Sequence, residues 1–462
     1  MNAPEAEIRQ AIDDPRLQLA IYTATGRLIS HRAAVVSDDA LPEYQDLRNE
    51  ANAIKRHTIE NLDYYLEQLE SNVTAHGGKV VFCRTGAEAA DFVLDLAKKR
   101  DLHLLVKSKS MTSEEIHFNE RLEEHQLQAV ETDLGEYILQ LAHQRPYHIV
   151  APALHLTRYN VAEVFSKELG VPNEVVIENQ TKIARGVLRR KFLDAGIGVS
   201  GANFLVADSG AVVIVENEGN ARLSTSAPKI HIAIAGIEKL IPRAQDLAVF
   251  LNLLGRSATG QPLTVYTSFL SGPRRAGEID GPDEFYLLLL DNGRTKLLAD
   301  PEKRQSLYCI RCGACLNHCP VYRKIGGHNY PWVYSGPIGA IITPQFHGVT
   351  SDTWLPFASS LCGACAEVCP VKIEIPKLLI KLREEVAEAK RRDSDSMERF
   401  AFQLFAWLAT HPRTYLLAAS VASVLFPLIP KVGPLKKWAS QRTLPEPAQQ
   451  SFHQWWEARR KS

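Results

Sequence analysis

The stretch CIRCGACLNHCP, residues 309–320, constrains this chain more than any other part of it. Cys309, Cys312, Cys315 and Cys319 stand at C-x2-C-x2-C-x3-C spacing, with Pro320 next. Close spacing lets a tight loop wrap three thiolates around one face of an iron–sulfur cube, while the longer step and the proline carry the fourth to a neighbouring cluster. A second, incomplete copy, LCGACAEVCP at 361–370, supplies Cys362, Cys365 and Cys369. Reciprocity assigns Cys309, Cys312, Cys315 and Cys369 to cluster one, and Cys319, Cys362 and Cys365 to cluster two. In a full motif an eighth cysteine would stand three residues before Cys362, where this chain has Ser359. Three readings complete the open corner: Ser359 as an alkoxide, a water or partner group, or a 3Fe-4S form of the second cluster. Ser359 as a plain loop residue is the bland alternative. The expectation is two 4Fe-4S clusters, the second without a full cysteine set.

Structural zinc is the competing use of such cysteines, but zinc sites usually take two separated pairs of ligands, and the paired Cys-Pro endings favour cubes. The eighth cysteine, Cys83, ends the apolar run KVVFC and reads as a core residue. Clustering of seven cysteines within 309–369 of a 462-residue chain speaks for metal binding in a reducing compartment rather than a secreted disulfide framework. The formal net charge is zero, which excludes a global field for nucleic acid. The polar start MNAPEAEIRQAIDD has no charged-then-apolar leader, and no window reaches the roughly 18 apolar residues of a spanning helix. The chain reads as cytoplasmic.

Four regions follow from the pattern. Residues 1–70 form a helical segment, in which Ile54, Ile59, Leu62, Tyr65 and Leu69 sit at helical spacing on one predicted amphipathic helix. Residues 71–298 alternate strands (KVVFC, HLLVKSKS, LQAVETD, YHIVAP) with helices, one capped by Thr85 and another opened by a Thr112–Glu115 capping box. This order predicts an α/β fold with helices on both faces of the sheet. A hairpin at Asp208-Ser209-Gly210 makes the sheet mixed, and KIHIAIAGIEKLIP adds another buried strand. Residues 299–380 form the iron–sulfur region; up to about 376 it shows little periodicity, so ligation is expected to replace a large apolar core there, before a helix restarts at Pro376. Residues 381–462 are helical and end in a basic tail. There Lys431, Lys436, Lys437, Arg442, Arg459, Arg460 and Lys461 outnumber Glu446 and Glu457, and Trp438, Trp455 and Trp456 interleave with them. Such a tail suits an acidic partner or an anionic membrane face.

The stretches CIRCGACLNHCPVYRKIGGHNYPWVYSGPIGAIITP and LCGACAEVCPVKIEIPKLL, with KSKSMTSEEIHFNERLE, ETDLGEYILQL and GVSGANFLVADSGAVVIVENEGNARLST upstream, resemble the iron–sulfur subunit family of bacterial L-lactate utilization, the lactate utilization B proteins. The resemblance covers essentially the whole chain and includes the LUD domain of that family. It implies an electron-transfer component working with subunits A and C and an unidentified electron acceptor, in a system oxidising L-lactate to pyruvate for growth on lactate. It also implies a seven-cysteine ligand set at the positions above, a LUD fold akin to the sugar-isomerase and CoA-transferase group, and no spanning membrane segment. Peripheral membrane contact stays open.

Outside the cysteines the chemistry is thin, and no catalytic residue is assigned. No G-x-G-x-x-G follows a strand, and GIGVSGANF at 196–204 reads as a packing or turn element. Lys107 and Lys109 precede a capped helix start and form a candidate anion site, against the alternative of a solvated strand end. Glu216, Asn220 and Arg222 sit at a turn that either lines a pocket or is self-satisfied. His155 and His328 are isolated in sequence and read as structural. Two further hypotheses stand beside electron transfer. In one, the chain itself oxidises the hydroxy acid at an open iron or in the LUD pocket. In the other, it is a binding protein with structural clusters.

Overall fold

The computed structural model describes residues 4–393, 396–425, 448 and 450–461. Ten strands build two sheets: β1 (Lys79–Cys83), β2 (Leu104–Lys107), β3 (Gln128–Glu131), β4 (Ile197–Ser200), β5 (Phe204–Val206), β6 (Ala211–Glu216), β7 (Ile230–Gly236), β8 (Leu240–Ile241), β9 (Tyr266–Leu270) and β10 (Glu284–Leu290). The larger sheet has the order β1-β10-β7-β4-β2-β3 and every pairing in it is parallel. Its central strands are buried and largely apolar because helices cover both faces, with Ser200 and His231 bonded to each other at 2.8 Å. One face packs Ile197, Ile232 and Leu288 on the helix Gly86–Lys99. The other packs Ala233, Phe285 and Leu287 against Leu69 and Val73 of the helix Leu62–Ala75, and Val106 and Val130 against Phe165 and Leu188 farther along.

The mixed character resides in the smaller sheet, β8-β5-β6-β9. There β5 and β6 pair antiparallel across Gly210, which takes φ +66°, while β8 adds parallel to β5. The α/β class and the mixed sheet are both found, with the strands divided between two sheets. Thr85 caps Gly86–Lys99 by accepting from the Glu88 amide at 3.2 Å. Cys83 is 2% exposed inside the apolar core under that helix, and its burial lifts the thiol pKa to about 11.

Local expectations fail where tertiary or turn chemistry overrides the pattern. The helix read through Ile54–Leu69 is two helices, Tyr44–Glu60 and Leu62–Ala75, broken at Asn61, whose side chain turns back to the His57 carbonyl at 2.8 Å. The segment at Thr112 is not opened by a Thr112–Glu115 box. Ser110 caps the short helix Met111–Glu115, and the helix Phe118–Glu124 restarts after His117 in the left-handed region. YHIVAP is a loop, closed by the Tyr147 amide donating to the Pro152 carbonyl and by His148 Nδ1 accepting from the amides of Val150 and Ala151.

Residues 299–376 do not lack an apolar core. The helix Gly336–His347 is buried over nearly its full length, and Tyr322, Tyr330, Tyr334 and Trp332 pack beside it. These residues share one core with Ile21 and Ala51 of the N-terminal helices and Phe204, Val213 and Phe250 around the smaller sheet. Met1–Val386 accordingly forms one compact unit, and Ala387–Ser462 a second. In the second unit the described elements after the helix Ile375–Asp393 are the helices Ser396–Thr410, Pro412–Leu425 and Phe452–Lys461, with Arg459 over the Trp455 ring at 5.2 Å. Lys431, Lys436, Lys437, Trp438, Arg442 and Glu446 lie outside the described residues. Among the described residues no helix is long and apolar enough to cross a membrane.

Candidate metal centre and the adjoining cavity

The two cysteine motifs fold as matching loops. In the first, Arg311 and Gly313 take φ +62° and +74° and open the helix Ala314–Asn317; in the second, Leu361 and Gly363 take +54° and +88° and open Ala364–Glu367. These paired left-handed residues flank Cys312 and Cys362, which occupy equivalent positions in the two motifs, and curl each backbone around that cysteine. A side chain on Gly313 would meet His148 at 3.1 Å, so the first loop is also pressed against the YHIVAP turn.

Cys309, Cys312, Cys315 and Cys369 line one hollow, closed by Ile149, Ile338 and Val371. Three of these come from the first motif and one from the second. Electrostatic contacts group most of the cysteines in the same way: Cys312 and Cys369 each sense Cys309, Cys319 senses Cys362, and Cys365 senses both Cys319 and Cys362, while Cys315 senses Cys309, Cys312 and Cys369 and, across the groups, Cys365. Among the described residues no three His, Cys, Asp or Glu side chains close on a single-ion site. Four thiols around a shared hollow are what a multi-iron cluster needs, since its irons occupy separate corners. Backbone amides point at three sulfurs: Arg311 N to Cys309 Sγ at 3.4 Å, Tyr322 N to Cys319 Sγ at 3.4 Å, and Ile373 N to Cys369 Sγ at 3.3 Å. Such N–H···S contacts raise the reduction potential of a bound cluster. Burial pushes the thiols of Cys312 and Cys365 up to about 12 and that of Cys369 to about 11. Without metal they stay protonated, so loading must displace protons. Ser359, partly buried, accepts from the Leu361 amide at 3.1 Å through its Oγ. Cys362 is exposed.

Sequence reading missed the supports of these loops. The buried Arg48 donates to the Cys369 carbonyl at 2.8 Å and the Glu367 carbonyl at 2.7 Å; Arg32 donates to Val368 O at 3.2 Å and Asn52 to Val371 O at 2.8 Å. The N-terminal helices thus satisfy the orphan carbonyls that the short helix Ala364–Glu367 leaves at its C-terminus. A second support is a buried ionic chain. Arg294 donates to both oxygens of Glu115 at 2.8 Å and to Glu238, which also receives Arg311 at 3.5 Å. Tyr334 donates to Glu115 at 2.7 Å, and the Arg311 guanidinium lies 4.4 Å over the Tyr334 ring. Only folding brings these residues together.

Beside the cluster loop lies a cavity of about 270 Å³, lined among others by Lys109, Asn203, Glu216, Asn220, Lys239 and Arg311. Of the proposed anion pair, Lys107 is spent: its fully buried ammonium is 2.8 Å from Glu114 and 2.7 Å from Glu131. Lys109 reaches the cavity wall but donates to the Val150 carbonyl at 2.7 Å. Glu216 and Asn220 line the cavity while Arg222 does not; Glu216 accepts from the amides of Ala221 and Arg222 at 2.8 and 2.9 Å. Gly198 packs under Ser224, whose carbonyl a Cβ there would strike, so the glycine-rich run is a packing element on this side. His155 and His328 are not isolated in space. Their rings are 4.8 Å apart and both contact Tyr147, and burial drops His155 to about 3, in keeping with a structural role.

Known proteins agree with this layout. The LUD domain family matches residues 66–290, a 4Fe-4S dicluster domain matches 305–373, and the C-terminal domain of lactate utilisation protein B matches 381–461. Lactate utilization protein B of Bacillus cytotoxicus is 44% identical over 461 residues, covering 98% of this chain and 96% of its own; those of Bacillus thuringiensis and Bacillus cereus give the same figures. Among solved structures, a duf162 family protein from Deinococcus radiodurans aligns at 10% identity and a TM-score of 0.28 over 50% of this chain and 98% of that one, too weak to bear on the fold. The chain, a LUD domain joined to a 4Fe-4S dicluster domain, belongs to the lactate utilization protein B family.

Proposed function

We propose that this chain is the iron–sulfur electron-transfer component of a system that oxidises L-lactate to pyruvate, working with subunits A and C and passing electrons to a further acceptor. The observation that carries the reading is the hollow lined by Cys309, Cys312 and Cys315 of one motif and Cys369 of the other, which supports cluster one on those four thiolates. The complementary grouping of Cys319, Cys362 and Cys365 supports cluster two, with its fourth corner left to Ser359 or to a non-protein group. When bound, two such clusters supply one-electron relays that together match the electron pair released as a hydroxy acid becomes an oxo acid.

The protein's own residues serve that relay by enclosing cluster one in apolar side chains, by aiming amides at the sulfurs, and by locking the second loop to the N-terminal helices through Arg32 and Arg48. On this reading residues 1–70 brace the clusters, 71–298 form the LUD domain, 299–380 carry the clusters, and 381–462 dock the partners. A reducing, cytoplasmic setting suits the free thiols.

The test is anaerobic. Reconstituted protein is analysed for iron and acid-labile sulfide, then titrated with L-lactate while cluster absorbance and EPR are followed, with and without subunits A and C. About eight iron per chain is expected for two cubes, or about seven with a three-iron second cluster. Lactate should reduce the clusters only when a partner is present. Near four iron per chain sinks the two-cluster reading. Reduction by lactate in the isolated chain makes this chain the dehydrogenase itself, and clusters that never change redox state make them structural.

A further inference from the structure

The electron path proposed above makes no use of the cavity beside the cluster loop. Its wall carries hydroxyl and amide groups, Ser108, Ser110, Asn203 and Thr259 among them, and two buried cations, Lys239 and Arg311. Lys239 is 8% exposed and makes no hydrogen bond or ion pair among the described residues. The Arg311 side chain is also 8% exposed, and its Nη1 is buried without a partner. The carboxylates nearby are already committed. Glu238 gives one oxygen to Arg294 and the other to Arg311, and Glu115 is held by Arg294, Asn292 and Tyr334. At the cavity wall Asp133 accepts from the amides of Gly135 and Glu136, Glu216 from those of Ala221 and Arg222, and the exposed Glu218 from that of Asn217. Four buried cations, Lys55, Lys239, Arg294 and Arg311, therefore face two buried carboxylates, Glu115 and Glu238, and Lys55 has only the carbonyls of Glu238 and Leu240 as hydrogen-bond partners. Leaving a buried cation unmatched is costly, and an anion in the cavity removes that cost.

The thiolates of cluster one are one sink for this charge. Arg311 borders both hollows and can serve them; Lys239 lines the larger cavity and not the cysteine hollow, and feels those thiols only through Cys309 at a distance. At about 270 Å³ that cavity falls below the roughly 300–1,000 Å³ of sites for drug-sized ligands. A small anion with a few further polar atoms fits it. A planar carboxylate suits a guanidinium edge flanked by an ammonium.

We propose that this cavity binds a small 2-hydroxy- or 2-oxo-carboxylate, its carboxylate paired with Lys239 and Arg311 and its remaining oxygen met by the hydroxyls and amides of the wall. The choice of acid rests on the lactate-utilization reading above; the anion site rests on the cations alone. Because Arg311 also lines the cysteine hollow, the bound acid lies one side chain from cluster one, and its negative charge opposes adding an electron there.

Isothermal titration of the reconstituted full-length protein with L-lactate and with pyruvate tests this, using methyl L-lactate and inorganic phosphate as controls. Saturable binding of at least one acid is expected, with the uncharged ester and phosphate at least tenfold weaker. Lys239→Gln should weaken binding at least tenfold while iron content and cluster absorbance stay at the parent level, and Lys239→Arg should restore it. Arg311→Lys, which keeps the charge but loses the fork, should fall between. No saturable binding, equal binding by Lys239→Gln, or phosphate binding as tightly as the acids would overturn the proposal. Iron content and dithionite reduction measured on the same samples keep the two readings apart. Redox-active clusters without carboxylate binding sink only this site, and carboxylate binding without redox-active clusters sinks only the electron-transfer role.

Discussion

Arg294 is the residue whose loss should be felt most. Its side chain and that of Glu115 are fully buried and Glu238 is 2% exposed, so neither carboxylate can turn to water. Replacing Arg294 with methionine keeps most of the volume and removes four hydrogen bonds, three to carboxylates and one to the Asp291 carbonyl. Glu115 retains only the neutral donors Asn292 and Tyr334, and Glu238 only Arg311 at 3.5 Å. Removing one partner of a buried ion pair costs about 3–5 kcal/mol, because the charge left behind stays desolvated. Two stranded carboxylates place Arg294→Met toward the upper end of that range. With an m-value near 3 kcal/mol per M, the urea midpoint should fall by roughly 1.3–1.7 M. Pulse proteolysis across a urea series reads this without requiring the clusters to reassemble. Arg294→Lys, which keeps the charge but not the bidentate fork, should lose less. Arg294→Met combined with Glu115→Leu should recover part of the loss, since the stranded charge on Glu115 is then gone. A single Arg294→Met variant within about 1 kcal/mol of the parent would refute the reasoning, because it would mean the buried carboxylates find water or protons at little cost.

Cys369→Ser should damage cluster one although it sits in the second motif, and Cys319→Ser should damage cluster two; EPR of each variant decides, and loss of each motif's own cluster would overturn the reciprocal assignment. Arg48→Ala should speed iron loss to a chelator from cluster one, because the charge-assisted bonds to Cys369 O and Glu367 O are each worth about 1.5–3 kcal/mol, and an unchanged rate would remove Arg48 from loop support. Glu136 is buried with both carboxylate oxygens unpartnered, and burial and then Glu131 hold its pKa well above the usual range. The unfolded chain then releases a proton that the folded one keeps, so this group's contribution to stability falls as pH rises above about 4.5. Glu136→Gln should therefore gain stability over the parent by up to about 1.4 kcal/mol per pH unit between pH 6 and 8, and a gap independent of pH would show the group to be ionised in the fold.

The cysteine spacings, the strand–helix alternation and the hairpin at Gly210 were legible in sequence because each is a local rule: ligand reach along a few residues, side-chain periodicity, and a turn that needs φ above zero. The sequence by itself also settled that Cys83 belongs to a core, since its neighbours are apolar. It could not show that the strands split into a parallel and a mixed sheet, because pairing partners are chosen by burial between distant segments. Nor could it show that residues 299–376 share the largest core, for their aromatics follow no period and meet Phe204 and Phe250 only in space. His155 and His328, 173 positions apart in sequence, become neighbours in the same way. The anion site was sought at Lys107, where a strand end met a helix start, but folding closed Glu114 and Glu131 over that ammonium. It left Lys239 without a carboxylate partner and one Arg311 nitrogen, Nη1, unpaired instead. Whether a buried charge is neutralised depends on which carboxylates fold within reach of it, and that is a property of the tertiary structure that no stretch of sequence contains.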